Sequence, residues 1–205
     1  MKILGVTLVV FAMLATSGCT ILPEPQEVAL YQLPEPRLQA SERAPAPWSL
    51  RIKTPKASDA LNSKRLLVLN PDNELALYSG ARWTSTTPKL WQDYLQRAFL
   101  ADGRIASLTT DAENLHAEVE LSGTLRGFYA EADKNNLAAV IRFDATLADT
   151  ASRKIIASRS FIAREPVGRG SSQSAALVAA FGVAADRVSA DLLNWMLQQD
   201  SKNSE

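Results

Sequence analysis

The sequence predicts an α+β fold, a single domain in which a mostly antiparallel sheet carries two helices packed on one face. Three observations predict it. Residues 116–164 alternate apolar and polar side chains with period two, broken by turn residues at 133–136 and 149–152. Two further segments, one opening at Thr87 and one at Ser171 or Ser172, repeat apolar residues at helical spacing. No internal repeat and no break in composition divides the chain after residue 28.

Composition narrows the function classes. The 205 residues carry 22 Lys+Arg against 22 Asp+Glu, so no basic surplus exists to displace counterions from nucleic acid, and no nucleic-acid partner is expected. One cysteine cannot close an intramolecular disulfide. With one histidine, it also cannot supply a zinc site built from several His and Cys ligands.

The first element is a leader, residues 1–18. Lys2 supplies a positive start, and Ile3–Leu14 is an apolar run too short for a membrane span, which needs roughly 20 residues. Ala15, Thr16, Ser17 and Gly18 then precede Cys19. An ordinary secretory signal beside an incidental cysteine is one reading. The pattern also resembles the lipobox of bacterial lipoproteins, although Thr16 stands where an aliphatic residue is usual. That resemblance makes Cys19 the lipidation site, diacylated, exposed by cleavage and then N-acylated. Thr20, rather than Asp, follows it, which in such lipoproteins implies transport to the outer membrane, facing the periplasm. Residues 19–27 then form the acylated Cys and a short tether. The eight residues from Thr20 to Glu27 span at most about 25–29 Å.

The domain is expected over residues 28–198, with a polar tail at 199–205. Val28–Leu33 reads as a first strand and Pro34–Pro47 as an extended loop. Trp48–Lys53 alternates Trp48, Leu50 and Ile52 against polar neighbours, a half-buried strand. Arg65–Asn70 and Glu74–Tyr78 flank Pro71-Asp72-Asn73, the chemistry of a hairpin turn. Thr87-Pro88 reads as an N-cap with proline at the first helical position. Leu90, Trp91, Tyr94, Leu95, Ala98 and Phe99 mark that helix's buried stripe, and Gly103 closes it.

A short strand is expected at Arg104–Leu108, then three in an antiparallel meander. These are His116–Leu125, Leu137–Leu147 and Lys154–Arg164, the last with Ile155, Ala157 and Phe161 on one face. The final helix runs to about Gln198 with Leu177, Phe181, Ala184, Val188, Leu192 and Trp195 buried. Its many Ala and Gly residues permit close approach to a sheet or another helix, and make self-association a further expectation.

Chemistry-bearing clusters are few. His116 shares a strand face with Glu118 and Glu120, but no second imidazole exists to complete a metal site. A solvated strand face is the simpler account. No Gly-x-Ser-x-Gly is present to place a nucleophilic serine. Gly168-Arg169-Gly170-Ser171-Ser172 lacks the lysine and spacing of a P-loop, and a turn with an N-cap explains it. No catalytic residue, metal or cofactor is therefore expected. Tyr78, Arg82 and Trp83 cluster in YSGARW between a strand and a helix. Aromatics with arginine are enriched at interaction hot spots, so these three are candidate partner-binding residues. Trp83 could equally pack into the core.

Taken in order, these residues resemble the ABC-type transport auxiliary lipoproteins, the family that includes paraquat-inducible lipoprotein C. The points of resemblance are the lipobox ending in Cys19, Tyr31-Gln32-Leu33-Pro34, the Leu50–Pro55 strand and Tyr78-Ser79-Gly80-Ala81-Arg82-Trp83. Pro88 with its helix, and a closing helix ending near Trp195, complete them. The resemblance implies a non-enzymatic, outer-membrane-anchored subunit of an intermembrane lipid transport system. It would dock or stabilise an MCE-domain protein served by an ABC permease and ATPase. An envelope assembly lipoprotein that binds another periplasmic protein, or a direct lipid carrier, is the alternative.

Cys19→Ala is expected to abolish acylation and release the protein from membranes. Palmitate labelling checks this, and equal incorporation by the variant would refute it.

Overall fold

The computed structural model describes residues 27–133, 136–168, 170 and 172–203. Its elements, in chain order, are β1 (Ala29–Tyr31), β2 (Leu50–Ile52), β3 (Lys56–Ala57), β4 (Arg65–Leu69), β5 (Leu75–Trp83) and α1 (Thr87–Asp102). They continue as β6 (Leu108–Thr110), β7 (Val119–Asp133), β8 (Asn136–Asp149), β9 (Ile155–Pro166) and α2 (Gln173–Asn203). Among the described residues the nine strands form one sheet, and both helices cover one face of it. The fold is α+β.

β7 is the spine. One edge pairs antiparallel with β8 from Val119–Asp149 to Asp133–Asn136, and β8 pairs antiparallel with β9. The other edge of β7 is shared by three short strands in succession, all parallel to it: β2 at Val119–Leu121, β3 at Thr124–Leu125 and β4 at Ala130–Glu131. β5 lies antiparallel outside β4, and β1 runs parallel outside β5. The alternation pattern reveals the antiparallel strands; it carries no information about these parallel neighbours, which long-range packing selects.

β7 also runs eight residues past the expected end at Leu125, because a bulge between Leu125 and Gly127 shifts the alternation. Leu125 and Phe128, three apart in sequence, thus both reach the core. A second bulge between Leu147 and Ala148 places Ile155 opposite Ala148 and Ala157 opposite Leu147. Ile155 is consequently 67% exposed instead of sharing the face of Phe161.

The first helix starts with Thr86, not Thr87, as its N-cap, and Thr86 makes no side-chain capping bond. Thr87 is the first helical residue, and its hydroxyl donates to the Leu61 carbonyl at 2.5 Å. Gly103, at φ 79°, ends the helix and donates its N–H to Phe99 O at 3.1 Å. Ser172 caps α2: its Oγ accepts the Ala175 N–H at 3.1 Å. α2 then continues through residues 199–203, which the sequence assigns to a polar tail. The small residue Gly182 receives neither sheet nor helix but the segment after β1. A Cβ there would lie 2.9 Å from Pro34 Cγ.

The core is aromatic and stitches all layers. Trp83 of β5 meets Phe128 of β7 and Phe181 of α2 edge-on, with centroids at 5.6 and 5.3 Å. Phe128 and Phe181 stack at 4.9 Å. Trp91 of α1 contacts Phe143 of β8, and Phe161 of β9 contacts Trp195 of α2.

Two polar pins fix the helices. The Tyr94 hydroxyl donates to Asp186 at 2.7 Å, joining α1 to α2, and burial followed by that carboxylate raises the phenol's pKa. Buried Gln92 donates to Ile52 O at 2.8 Å and to Asp111 at 2.6 Å, tying α1 to the ends of β2 and β6. Burial works against the Asp111 carboxylate, but the bonds from Gln92 and Thr54 outweigh it and hold its pKa below the ordinary range.

At Gly123 of β7 an added Cβ would lie 2.2 Å from the Asp144 carbonyl oxygen and 2.8 Å from the Phe143 ring. Gly123→Ala therefore forces the β7–β8 backbones apart and is expected to cost about 3 kcal/mol or more, read from urea unfolding.

Candidate interaction site

YSGARW lies inside β5, not in a loop between strand and helix. Gly80 takes φ 73°, a left-handed conformation that favours glycine, and the β4–β5 register slips beside it. Between the Leu67–Leu77 and Arg65–Arg82 pairs, β5 uses more residues than β4. A glycine inside a strand pattern is the sequence signal for such a bulge. Beyond it Ala81 and Trp83 point into the core and Arg82 points out.

The three candidate residues thus take different positions. Trp83 is fully buried and makes no accessible surface. It anchors the strand that presents the other two. Tyr78 is half-buried, and burial, then neighbouring Tyr31, raises its pKa. Tyr31 pairs with Trp83 in register, and its hydroxyl bonds Ser174 Oγ at 2.9 Å, fastening β1 to the start of α2. Arg82 is exposed.

Four features of this region are not foreseen by sequence. Arg65 of β4 sits directly opposite Arg82, and among the described residues neither guanidinium has an anionic partner. Leu30 of β1 pairs in register with Arg82 and is 67% exposed. Arg65, Arg82, Val28 and Leu77 line one open depression of about 250 Å³. Finally, β1 covers only Ala81–Trp83, so residues 75–80 of β5 keep an outer edge without a strand partner among the described residues. The register that creates these features links segments far apart in the chain.

The other sequence candidates are committed elsewhere. Glu118 accepts the Ser49 N–H at 2.7 Å and the Ser49 hydroxyl at 3.0 Å, which hold its pKa below the ordinary range. Glu120 pairs with Arg51 at 3.7 Å and Lys53 at 3.6 Å. His116 is exposed, and the described residues hold no group of three or more His, Cys, Asp or Glu suited to a metal. Of the Gly168–Ser172 turn, residues 169 and 171 lie outside the described residues, as does Cys19.

One nine-stranded sheet backed by two helices, its outer edge open at residues 75–80 among the described residues, defines an α+β domain. The sequence matches the family model for the ABC-type transport auxiliary lipoprotein component over residues 31–192, and the chain belongs to that family. It is similar to a Xanthomonas campestris protein, assigned to the family model DUF330, whose crystal structure superposes with a TM-score of 0.75. That pair is 28% identical, and the match covers 86% of this chain and 99% of the other. A second crystal structure, of a protein described as uncharacterized, shares the fold at 16% identity and a TM-score of 0.64. Its match covers 83% of this chain and 99% of that one. No curated protein matches the sequence.

Like charges directly across a strand pair destabilise it. Arg82→Gln is therefore expected to raise stability by up to about 1 kcal/mol at low ionic strength. The gain should shrink with added salt. Thermal unfolding across a salt series checks both.

Proposed function

We propose that the protein is a non-catalytic, outer-membrane-anchored subunit of an ABC/MCE-type intermembrane lipid transport system. Cys19 carries the lipid anchor, the domain faces the periplasm, and its task is to dock or stabilise the MCE-domain component. The ATPase and permease supply the energy, and the MCE protein forms the conduit. The observation that carries this reading is the family match over residues 31–192, joined to the lipobox pattern ahead of it. The domain's contact region for envelope partners is the β5 segment, where buried Trp83 fixes the positions of Tyr78 and Arg82.

The space between sheet and helices favours docking over direct lipid carriage. Trp83, Trp91, Phe128, Phe143 and Phe181 fill it, and all are buried to within 1%. The depressions described at the surface measure about 200–330 Å³ and are open.

Crosslinking in intact cells followed by affinity purification is expected to recover an MCE-domain protein with the wild-type chain. Cys19→Ala should reduce that recovery severalfold, because an unanchored chain loses the effective concentration that the membrane imposes. Repeated recovery without any MCE protein would refute the assignment.

A further inference from the structure

We propose that the surface formed by Val28, Leu30, Leu75 and Leu77 around the Arg65–Arg82 pair seats on the phosphate layer of the bilayer that holds the N-terminal anchor. The proposal rests on the anchoring reading above and assigns the β5 contact region its occupant.

The first argument is the distribution of apolar surface. Among the described residues eight large hydrophobic side chains are exposed, and four of them gather here: Leu75 and Leu77 in β5, Leu30 in β1, and Val28 just before β1. Val28 and Leu77 share the depression with both arginines. Leu30 stands in register with Arg82, and Leu75 lies on the same face of the strand as Leu77. An apolar patch rimmed by cations is the composition of a membrane-interface surface, where aliphatic side chains enter below the phosphates and cations meet them.

Charge supplies the second argument. Three arginines elsewhere on the sheet are ion-paired: Arg51 with Glu120 at 3.7 Å, Arg126 with Asp144 at 2.9 Å, and Arg164 with Glu131 at 3.3 Å. Arg142 and Arg159 have no ion pair among the described residues, but they face Ile162 and Ala145 in register rather than a second arginine. Arg65 and Arg82 face each other with no such partner among the described residues. Two guanidiniums side by side match an array of phosphates, which each can bind through two parallel N–H donors.

The third argument is reach. Val28 is nine residues from Cys19, so a fully extended tether holds it within about 30–32 Å of the anchor. The patch therefore starts where the tether ends, and anchoring presents it to lipid at high effective concentration.

The test uses full-length acylated protein in vesicles of phosphatidylethanolamine and phosphatidylglycerol. With the Cys19 sulfur acylated, a cysteine introduced by Leu30→Cys or Leu77→Cys is the one free thiol and takes an environment-sensitive fluorophore. Ile162→Cys on β9, where the native side chain is 57% exposed, serves as the control. Labels at 30 and 77 are expected to shift to the blue and to be quenched by headgroup nitroxide lipids severalfold more than the label at 162. Adding Arg65→Gln with Arg82→Gln should remove most of that difference while the protein still floats with the vesicles. Equal quenching at 77 and 162 in floating protein would overturn the proposal and leave the anchoring reading intact. A blue shift that depends on protein concentration and resists lipid quenching would assign the patch to a second copy and equally overturn it. Failure of the wild type to float would overturn the anchoring reading, and the proposal with it.

Discussion

Trp83 meets the edge of Phe128 on β7 and of Phe181 on α2, and the rest of the structure depends on that contact. It is the point at which a strand near the sheet's edge is fastened both to the spine of the sheet and to the long helix. Besides that contact β5 has its β4 ladder, the three-residue pairing with β1, and Ala81 and Tyr78 packed in or against the core. Because Trp83 and Ala81 must point inward, Arg82 must point outward, so the demand of the core sets the surface that the strand displays. The Trp83 indole N–H has no hydrogen-bond partner among the described residues, so its place is set by aromatic packing.

The second constraint is the length of β7. Fifteen residues give one edge long enough for all of β8 and another long enough for three short strands laid end to end. So long a strand must twist and bend to stay under two helices, and the bulge after Leu125 supplies the local change. The same device at Gly80 lets β5 change phase between its core-facing and its outward-facing halves. These two irregularities, with the third between Leu147 and Ala148, mark where the ladder changes phase.

These constraints explain why the functional features gather where they do. The helices and the inner sheet face are consumed by packing; His116 and Glu118 precede β7 rather than sharing a strand face with Glu120, and Ser49, Arg51 and Lys53 engage the two carboxylates. The β1–β5 corner combines two arginines in register, exposed leucines and a strand edge open over residues 75–80. This corner adjoins the segment that leads to Cys19. Like charges in register oppose the free fold, and the proposed seating on phosphates would give the pair its counter-charge.

Sequence alone determined both helices with their buried stripes, the β4–β5 hairpin and the β7–β9 meander. Those features follow from local periodicity and turn chemistry, which neighbouring residues carry between them. But it missed the two-residue β3 and placed at Arg104–Leu108 the strand found at Leu108–Thr110. The lipobox reading of Cys19 and the choice of Tyr78, Arg82 and Trp83 in YSGARW as candidate residues also rest on sequence. Tertiary structure decided the rest. Alternation is blind to a bulge until pairing reveals it, and so β7 continues past Leu125 and Ile155 turns outward. Parallel pairing joins strands remote in sequence, and only it could bring Leu30 beside Arg82. The antiparallel register of β4 on β5, shifted at Gly80, then sets Arg65 opposite Arg82. The site is a product of register, and register is fixed by long-range packing on Trp83.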